Sequence, residues 1–141
     1  MTHGQFAGDI SPEEAWELLA ANPKAQLVDV RTTAEWAFVG FPDLRPLGRE
    51  LLYVSWQEFP SMQVNPRFFD DVWQLCPDRE APLVFLCRSG QRSRLAAIAC
   101  AERGYQHCYN IDSGFEGVLD PGHHRGRVNG WKVANLPWVQ R

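Results

Sequence analysis

Pro82-Leu83-Val84-Phe85-Leu86-Cys87-Arg88-Ser89-Gly90-Gln91-Arg92-Ser93 is the stretch on which the fold turns. Its apolar first part reads as a buried strand, and the polar, glycine-containing run after Cys87 reads as a loop. Leu95, Ile98 and Ala99 then form the stripe of a helix that starts near Arg92 and ends at Gly104. In such a strand-loop-helix unit the loop amides and the first helical turn point toward the centre of the loop, where they stabilise negative charge. The group placed there is a thiol. Thiolate is the form that attacks electrophiles, and helix N-termini beside arginine favour it. Arg88, Arg92 and Arg94 supply the positive surroundings. A free cysteine also serves as a small core hydrophobe, but a core position needs neither the glycine loop nor the arginines. Cys87 is therefore read as a candidate nucleophile facing an anionic substrate.

Outward from this unit, strand and helix patterns alternate. Ser11-Pro12-Glu13-Glu14 has the form of a capping box with proline at the first helical position, and Ala15, Leu18 and Leu19 form the stripe of that helix. Gln26-Leu27-Val28-Asp29-Val30 reads as a strand buried on both faces. Thr32-Thr33-Ala34-Glu35 opens a short helix carrying Trp36 and Phe38. Gly40, Pro42, Pro46 and Gly48 mark a loop before a strand over Glu50-Leu51-Leu52-Tyr53-Val54. A helix from Asn65-Pro66 presents Phe69, Val72, Trp73 and Cys76 and stops at Pro77, and Gln106 to Ile111 forms a further strand. Trp16, Trp36 and Trp73 lie on helix stripes and are expected in the core, whereas Trp56, Trp131 and Trp138 are less constrained. The alternation predicts an α/β fold, a central parallel sheet with helices on both faces and the ligand at the strand carboxyl ends, where Cys87 lies.

A chain of 141 residues suits one domain with a real core. Its net charge of -3 argues against a nucleic-acid surface. Cys76, Cys87, Cys100 and Cys108 show no Cys-x-x-Cys spacing, so no zinc ribbon or dithiol centre is indicated, and three of the four are expected in the core. The segment from Met1 to Asp9 has neither the basic nor the apolar region of a secretory leader, and no apolar run reaches membrane-spanning length. A cytoplasmic, reducing location is the simplest expectation.

At this point the residues resemble the rhodanese family of sulfurtransferases. Leu27-Val28-Asp29-Val30-Arg31 is similar to the family's early strand motif, Cys87 to Ser93 to its active loop, and Trp131-Lys132-Val133-Ala134-Asn135-Leu136-Pro137 to its closing segment. The resemblance implies a single rhodanese-like domain over residues 1–141 and a persulfide formed on Cys87. The sulfur would come from a small anionic donor such as thiosulfate and pass to cyanide or a thiol, with no cofactor and no metal. Cys87 would be nucleophile and sulfur carrier, and the amides from Arg88 through Ser89, Gly90, Gln91 and Arg92 to Ser93 would line the substrate loop. Arg88 and Arg92 are the candidates for the donor's anionic end, since guanidinium forks suit oxyanions. Gly90 is read as the position of unusual backbone angles. Asp29 and Arg31 are assigned structural support, through backbone caps or a local pair such as Arg31 with Glu35.

Loop length separates relatives of this fold. Phosphatases of the dual-specificity cell-cycle type place five residues between cysteine and arginine; here four, Arg88 to Gln91, separate Cys87 from Arg92. The shorter loop favours sulfur over phosphate or arsenate. Two departures from the family pattern stand out. Gly40-Phe41-Pro42-Asp43-Leu44 replaces a frequent Gly-His-Ile-Pro-Gly run, and residues 117–130 form an insertion-like loop with His123, His124, Arg125 and Arg127. The simpler reading makes that loop a solvated surface. The sharper one brings Arg125 and Arg127 toward the Cys87 mouth. Against an enzyme stands a sulfur-relay or docking protein loaded by a protein persulfide donor, which uses the same cysteine. No nucleic-acid or membrane partner is expected.

Overall fold

The computed structural model describes residues 5–140, so the first four residues of the segment read for a leader, and the last residue of the expected domain, lie outside the described residues. In chain order the elements are β1 (Phe6–Ile10), α1 (Pro12–Ala21), β2 (Gln26–Asp29), α2 (Thr33–Phe38), β3 (Phe41–Pro42) and, after a 3-10 turn at Arg45–Leu47, β4 (Leu52–Tyr53). There follow β5 (Gln57–Glu58), β6 (Gln63–Val64), α3 (Phe68–Leu75), β7 (Leu83–Leu86), α4 (Gln91–Glu102), β8 (Cys108–Ile111) and β9 (Trp138–Val139). Five strands form one parallel sheet in the order β1-β8-β7-β2-β4. The expected α/β architecture with a central parallel sheet is observed.

Alternation along the central strands explains why the sheet is covered on both sides. Leu27 of β2 and Val84 and Leu86 of β7 join Ala15 and Leu19 of α1 in one core, with Ile111, Phe115 and Trp131. Val28, Leu83 and Phe85 face the other way, onto Phe68 and Val72 of α3 and Ala96, Ala97, Cys100 and Ala101 of α4. Both predicted capping boxes form: Ser11 Oγ accepts from the Glu14 amide while Glu14 Oε1 accepts from the Ser11 amide, and Thr32 and Glu35 repeat the arrangement.

Several expectations need correction. β1 was not anticipated, because Phe6, Gly8 and Ile10 alternate only weakly; the sheet supplies the missing order by pairing it with β8. The expected strand over 50–54 contracts to Leu52–Tyr53, and the one over 106–111 begins at Cys108. α3 starts after an Asn65 turn, in which Asn65 Oδ1 accepts from the Arg67 amide, and it buries Phe68, Val72 and Cys76 while Trp73 stays 38% exposed. α4 buries Ser93, Ala96, Ala97, Cys100 and Ala101, leaving Leu95 exposed. Small side chains let this helix approach the sheet closely, an option that a search for large apolar residues overlooks. Tryptophan placement is likewise reordered: Trp16 and Trp36 are only partly buried, and Trp131 is among the largest fully buried side chains. Trp131 packs edge-on to Trp16 and donates from Nε1 to the Pro137 carbonyl at 2.8 Å. The closing segment then folds back so that β9 pairs antiparallel with β3.

One ionic contact is sealed inside this frame. Asp29 and Arg31 have no exposed side-chain surface. Asp29 Oδ1 accepts from Arg31 Nε at 2.9 Å, Oδ2 accepts from Nη2 at 2.7 Å, and Nη2 also donates to the Gly40 carbonyl at 2.7 Å. The guanidinium carbon sits 4.4 Å from the Phe115 ring centre. Arg31 thus pairs with Asp29 and not with Glu35, because the i, i+2 turn after β2 brings the fork directly onto the carboxylate. Removing either partner strands a buried charge, so Asp29→Ala and Arg31→Met are each expected to lower unfolding free energy by about 3–5 kcal/mol. Denaturant titration checks this, and a loss typical of surface pairs, below about 1 kcal/mol, would contradict it.

Candidate active site

The end of β7 delivers Cys87 to the carboxyl edge of the sheet, between β2 and β8. Its residue is 1% exposed. Cys87 Sγ accepts from the Gly90 amide at 3.1 Å, and Ser93 Oγ lies 3.1 Å away on the other side. Gly90 reaches this geometry with φ of 108°, a region that L side chains rarely adopt, and α4 begins at the next residue. A Cβ at Gly90 would also collide with the Asp112 carbonyl. The loop therefore turns tightly enough to place an amide and the first helical turn around one sulfur, as the strand-loop-helix reading requires.

A strap of residues after β8 holds the loop from outside. The Phe115 amide donates to the Cys87 carbonyl at 2.8 Å, and the Glu116 and Gly117 amides donate to the Arg88 carbonyl at 2.9 and 3.2 Å. Gly114 permits the contact: a Cβ there would lie 2.6 Å from the Cys87 and Arg88 carbonyl oxygens. The strap was not anticipated as part of the site, although Ser113-Gly114 is its visible turn signal.

Among the arginines the structure divides the labour. Arg88 is exposed, with no hydrogen bond or ion pair from its side chain among the described residues. Arg92 is committed elsewhere, donating from Nη1 and Nη2 to Glu35 Oε1 and Oε2 at 2.7 and 2.9 Å. That bidentate pair ties α4 to the N-terminus of α2, and it corrects the assignment of Glu35 to Arg31. Arg94 pairs with Asp9 Oδ2 at 2.6 Å. Ser89 is partly buried and Gln91 exposed. Arg125 Nη1 donates to the Gly117 carbonyl at 2.8 Å and Arg127 lies 3.8 Å from Asp120, so both cations are engaged within the insertion.

Residues missed by sequence reasoning stand behind the sulfur. Asn110 of β8 accepts from Ser93 and donates to the Gly90 carbonyl, and Asp9 of β1 accepts in turn from Asn110. Neither carries a local pattern that marks it; only the parallel pairing of β1, β8 and β7 brings them there. The other cysteines differ in kind. Burial pushes the Cys76 and Cys100 thiols up, and the Cys108 thiol up to about 12, which leaves all three as neutral core groups. A cavity of about 810 Å³, lined among others by Phe41, Arg45, Tyr53 and Leu75, opens beside β4 and does not include Cys87. Among the described residues no group of three His, Cys, Asp or Glu side chains is placed to hold a metal ion, and no helix is long and apolar enough to cross a membrane.

Glu35 gives this architecture a pH signature. Burial pushes its carboxyl up, but the Arg92 hydrogen bonds and charge, the Thr32 amide and the charge of Arg31 together outweigh it, and the net shift is downward. A carboxyl depressed on folding adds stability that is present above its unfolded pKa and lost as the pH falls through the folded one. Glu35→Gln is thus expected to flatten the loss of thermal stability on acidification below about pH 4.3, the ordinary glutamate value. Parallel wild-type and variant curves would contradict the assignment.

A family model described as the STR4 middle domain matches residues 7–141. The crystal structure of Rv0390 from M. tuberculosis is similar with a TM-score of 0.89 and 48% identity, covering 97% of this chain and 100% of that one. An uncharacterized protein of Rickettsia rickettsii, the RP600 homolog, is 40% identical over 131 residues, which span 92% of this chain and 95% of that protein. The thiosulfate sulfurtransferase GlpE of Actinobacillus pleuropneumoniae is 31% identical over 109 residues, 77% of this chain and 83% of GlpE. Matched over residues 7–141 by that model, the chain belongs to the STR4 middle-domain family.

Proposed function

We propose that the protein is a rhodanese-type sulfurtransferase that carries a sulfane sulfur on Cys87. The observation that supports this most is the seating of Cys87 Sγ against the Gly90 amide and the Ser93 hydroxyl in a loop with four residues between cysteine and arginine. Similarity to the thiosulfate sulfurtransferase GlpE supports the same chemistry.

In the forward half-reaction the Cys87 thiolate attacks the outer sulfur of thiosulfate. An S–S bond forms to Sγ, the sulfur-sulfur bond of thiosulfate breaks, and sulfite leaves with the electron pair. Cyanide or a thiol then attacks the outer sulfur of the persulfide and returns the electron pair to Cys87. The cycle needs no external oxidant, reductant, metal or cofactor. The Gly90 amide and the positive end of α4 stabilise the anionic sulfur, and Arg88, exposed and uncommitted, attracts the donor's sulfonate end. Arg92 acts through Glu35 to fix the start of α4, a role closer to scaffold than to donor binding. That commitment, together with the short loop, also disfavours phosphate or arsenate chemistry. A reducing compartment, the cytosol being the simplest, keeps the thiol available for loading.

A sulfur relay is the second reading, and one observation favours it. The β5–β6 hairpin, which follows Trp56 beyond the carboxyl end of the sheet, exposes Phe59, Met62 and Val64. Such side chains suit contact with a protein partner that delivers or accepts sulfur.

Steady-state assay with thiosulfate and cyanide separates the readings. Saturable thiocyanate formation is expected from the wild type. Arg88→Ala should raise the KM for thiosulfate by roughly tenfold, the scale of one charge-assisted hydrogen bond, with kcat little changed. Absence of turnover with thiosulfate, beside loading from a protein persulfide donor, would overturn the enzyme reading in favour of the relay.

A further inference from the structure

Ser93 Oγ lies 3.1 Å from Cys87 Sγ and 2.5 Å from Asn110 Oδ1. A serine hydroxyl owns one hydrogen and can serve only one of these neighbours at a time. The orientation of the Asn110 amide is fixed by its other contacts: Nδ2 donates to the Gly90 carbonyl at 3.1 Å and to Asp9 Oδ1 at 2.9 Å. Flipping it would set the amide oxygen against a carbonyl and a carboxylate, so the oxygen must face Ser93. Two oxygens 2.5 Å apart need a hydrogen between them, and Ser93 supplies it. The lone pairs of Ser93 Oγ then face the sulfur, an arrangement that suits an S–H donor and leaves a thiolate without the hydroxyl hydrogen. Both Ser93 and Asn110 are buried, which keeps bulk water from substituting for either partner.

Ionisation of the sulfur reverses this chain of donors. The thiol proton leaves to solvent, the hydroxyl hydrogen stays on Oγ and swings from Asn110 to the sulfur, and Asn110 Oδ1 is left buried without a donor. We propose that Asn110 is a positioning residue that competes with the Cys87 sulfur for the single hydrogen of Ser93 and thereby limits how much of Cys87 stands as reactive thiolate. The inference rests on Cys87 being the working sulfur of the proposed transfer. Asn110 acts through Ser93 and touches no substrate. Its anchor is the pair of Asp9 with Arg94, which ties β1 to α4 behind it. A persulfide on Cys87 also lacks the S–H, so the same swing accompanies loading.

Other charged residues belong to the loop and its neighbours: Arg88 in the loop, Arg92 from α4 with Glu35 of α2 and Asp29 of β2 near it, and Asp112 and Glu116, whose backbone packs on the loop. They are common to the variants below and cancel in the comparison.

The test is the rate of alkylation of the reduced protein by iodoacetamide at a fixed neutral pH, read at each cysteine by mass spectrometry. Ser93→Ala removes the donor that thiolate needs and is expected to slow Cys87 alkylation by roughly three- to tenfold, the size of one buried hydrogen bond. Asn110→Leu frees that donor and is expected to speed it by a similar factor. In the double variant the acceleration disappears, because no hydroxyl remains to be released. Cys76, Cys100 and Cys108 report on folding, and they stay protected in every variant that tests the idea. Should Asn110→Leu fail to fold, Asn110→Ala carries the test: it too removes the acceptor beside Ser93 without adding a charge, and is expected to alkylate faster than wild type by a similar factor. Unchanged or slower alkylation in Asn110→Leu or Asn110→Ala, or acceleration that persists without Ser93, overturns the proposal. No sulfur donor is present in this assay. Failure of the wild type to load from thiosulfate would end the sulfurtransferase reading and leave this result standing.

Discussion

Gly90 is the constraint on which the rest of the site depends. With φ of 108° and the Asp112 carbonyl packed against its Cα, no other residue fits there without moving the strap after β8. Its amide faces Cys87 Sγ, its carbonyl is held by Asn110, and the residue after it opens α4. One backbone conformation therefore sets the distance from the sulfur to its donor, the direction of the helix that supports the charge, and the close approach of Ser93 from the first turn. A loop closed this way carries no spare residue, which supports the proposed preference for a small sulfur-bearing anion over a phosphoryl group.

Rigid surroundings keep that turn in place. The Asp29–Arg31 pair anchors the end of β2 to the Gly40 carbonyl and to the Phe115 ring, and Phe115 in turn donates its amide to the Cys87 carbonyl. From the other side, Glu35 caps α2 and grips Arg92 of α4. Charges that look surplus in a small domain thus serve as struts. Buried pairs of this kind contribute little net stability but cost much when halved, so they specify where the loop sits more than they strengthen the fold.

How far the sequence discloses this varies with the physical cause. Capping boxes at Ser11 and Thr32, the strand from Gln26 and the strand-loop-helix around Cys87 rest on local chemistry and are legible residue by residue. β1 depends on its neighbour β8, and the inner face of α4 depends on how closely alanines let the helix approach, so neither follows from hydrophobic periodicity. Trp131 looks unconstrained in a loop and is buried because the closing segment folds back through the β3–β9 pairing. In the site, the nucleophile candidate and its glycine are visible, whereas Asn110 and Asp9 are separated from Ser93 by 17 and from Asn110 by 101 positions respectively and meet only through sheet order. Arg92 shows the limit of reading charge as ligand: the same guanidinium fork that suits an oxyanion also suits Glu35.

The enzyme reading stands or falls on Cys87 taking up sulfur from thiosulfate. Intact mass of the pure, reduced protein after exposure to thiosulfate, beside a Cys87→Ser variant, tests that most directly. The account predicts that wild type gains the mass of one sulfur, removable by cyanide, and that the variant gains none. No added sulfur on wild type, or equal loading of both proteins, would contradict it.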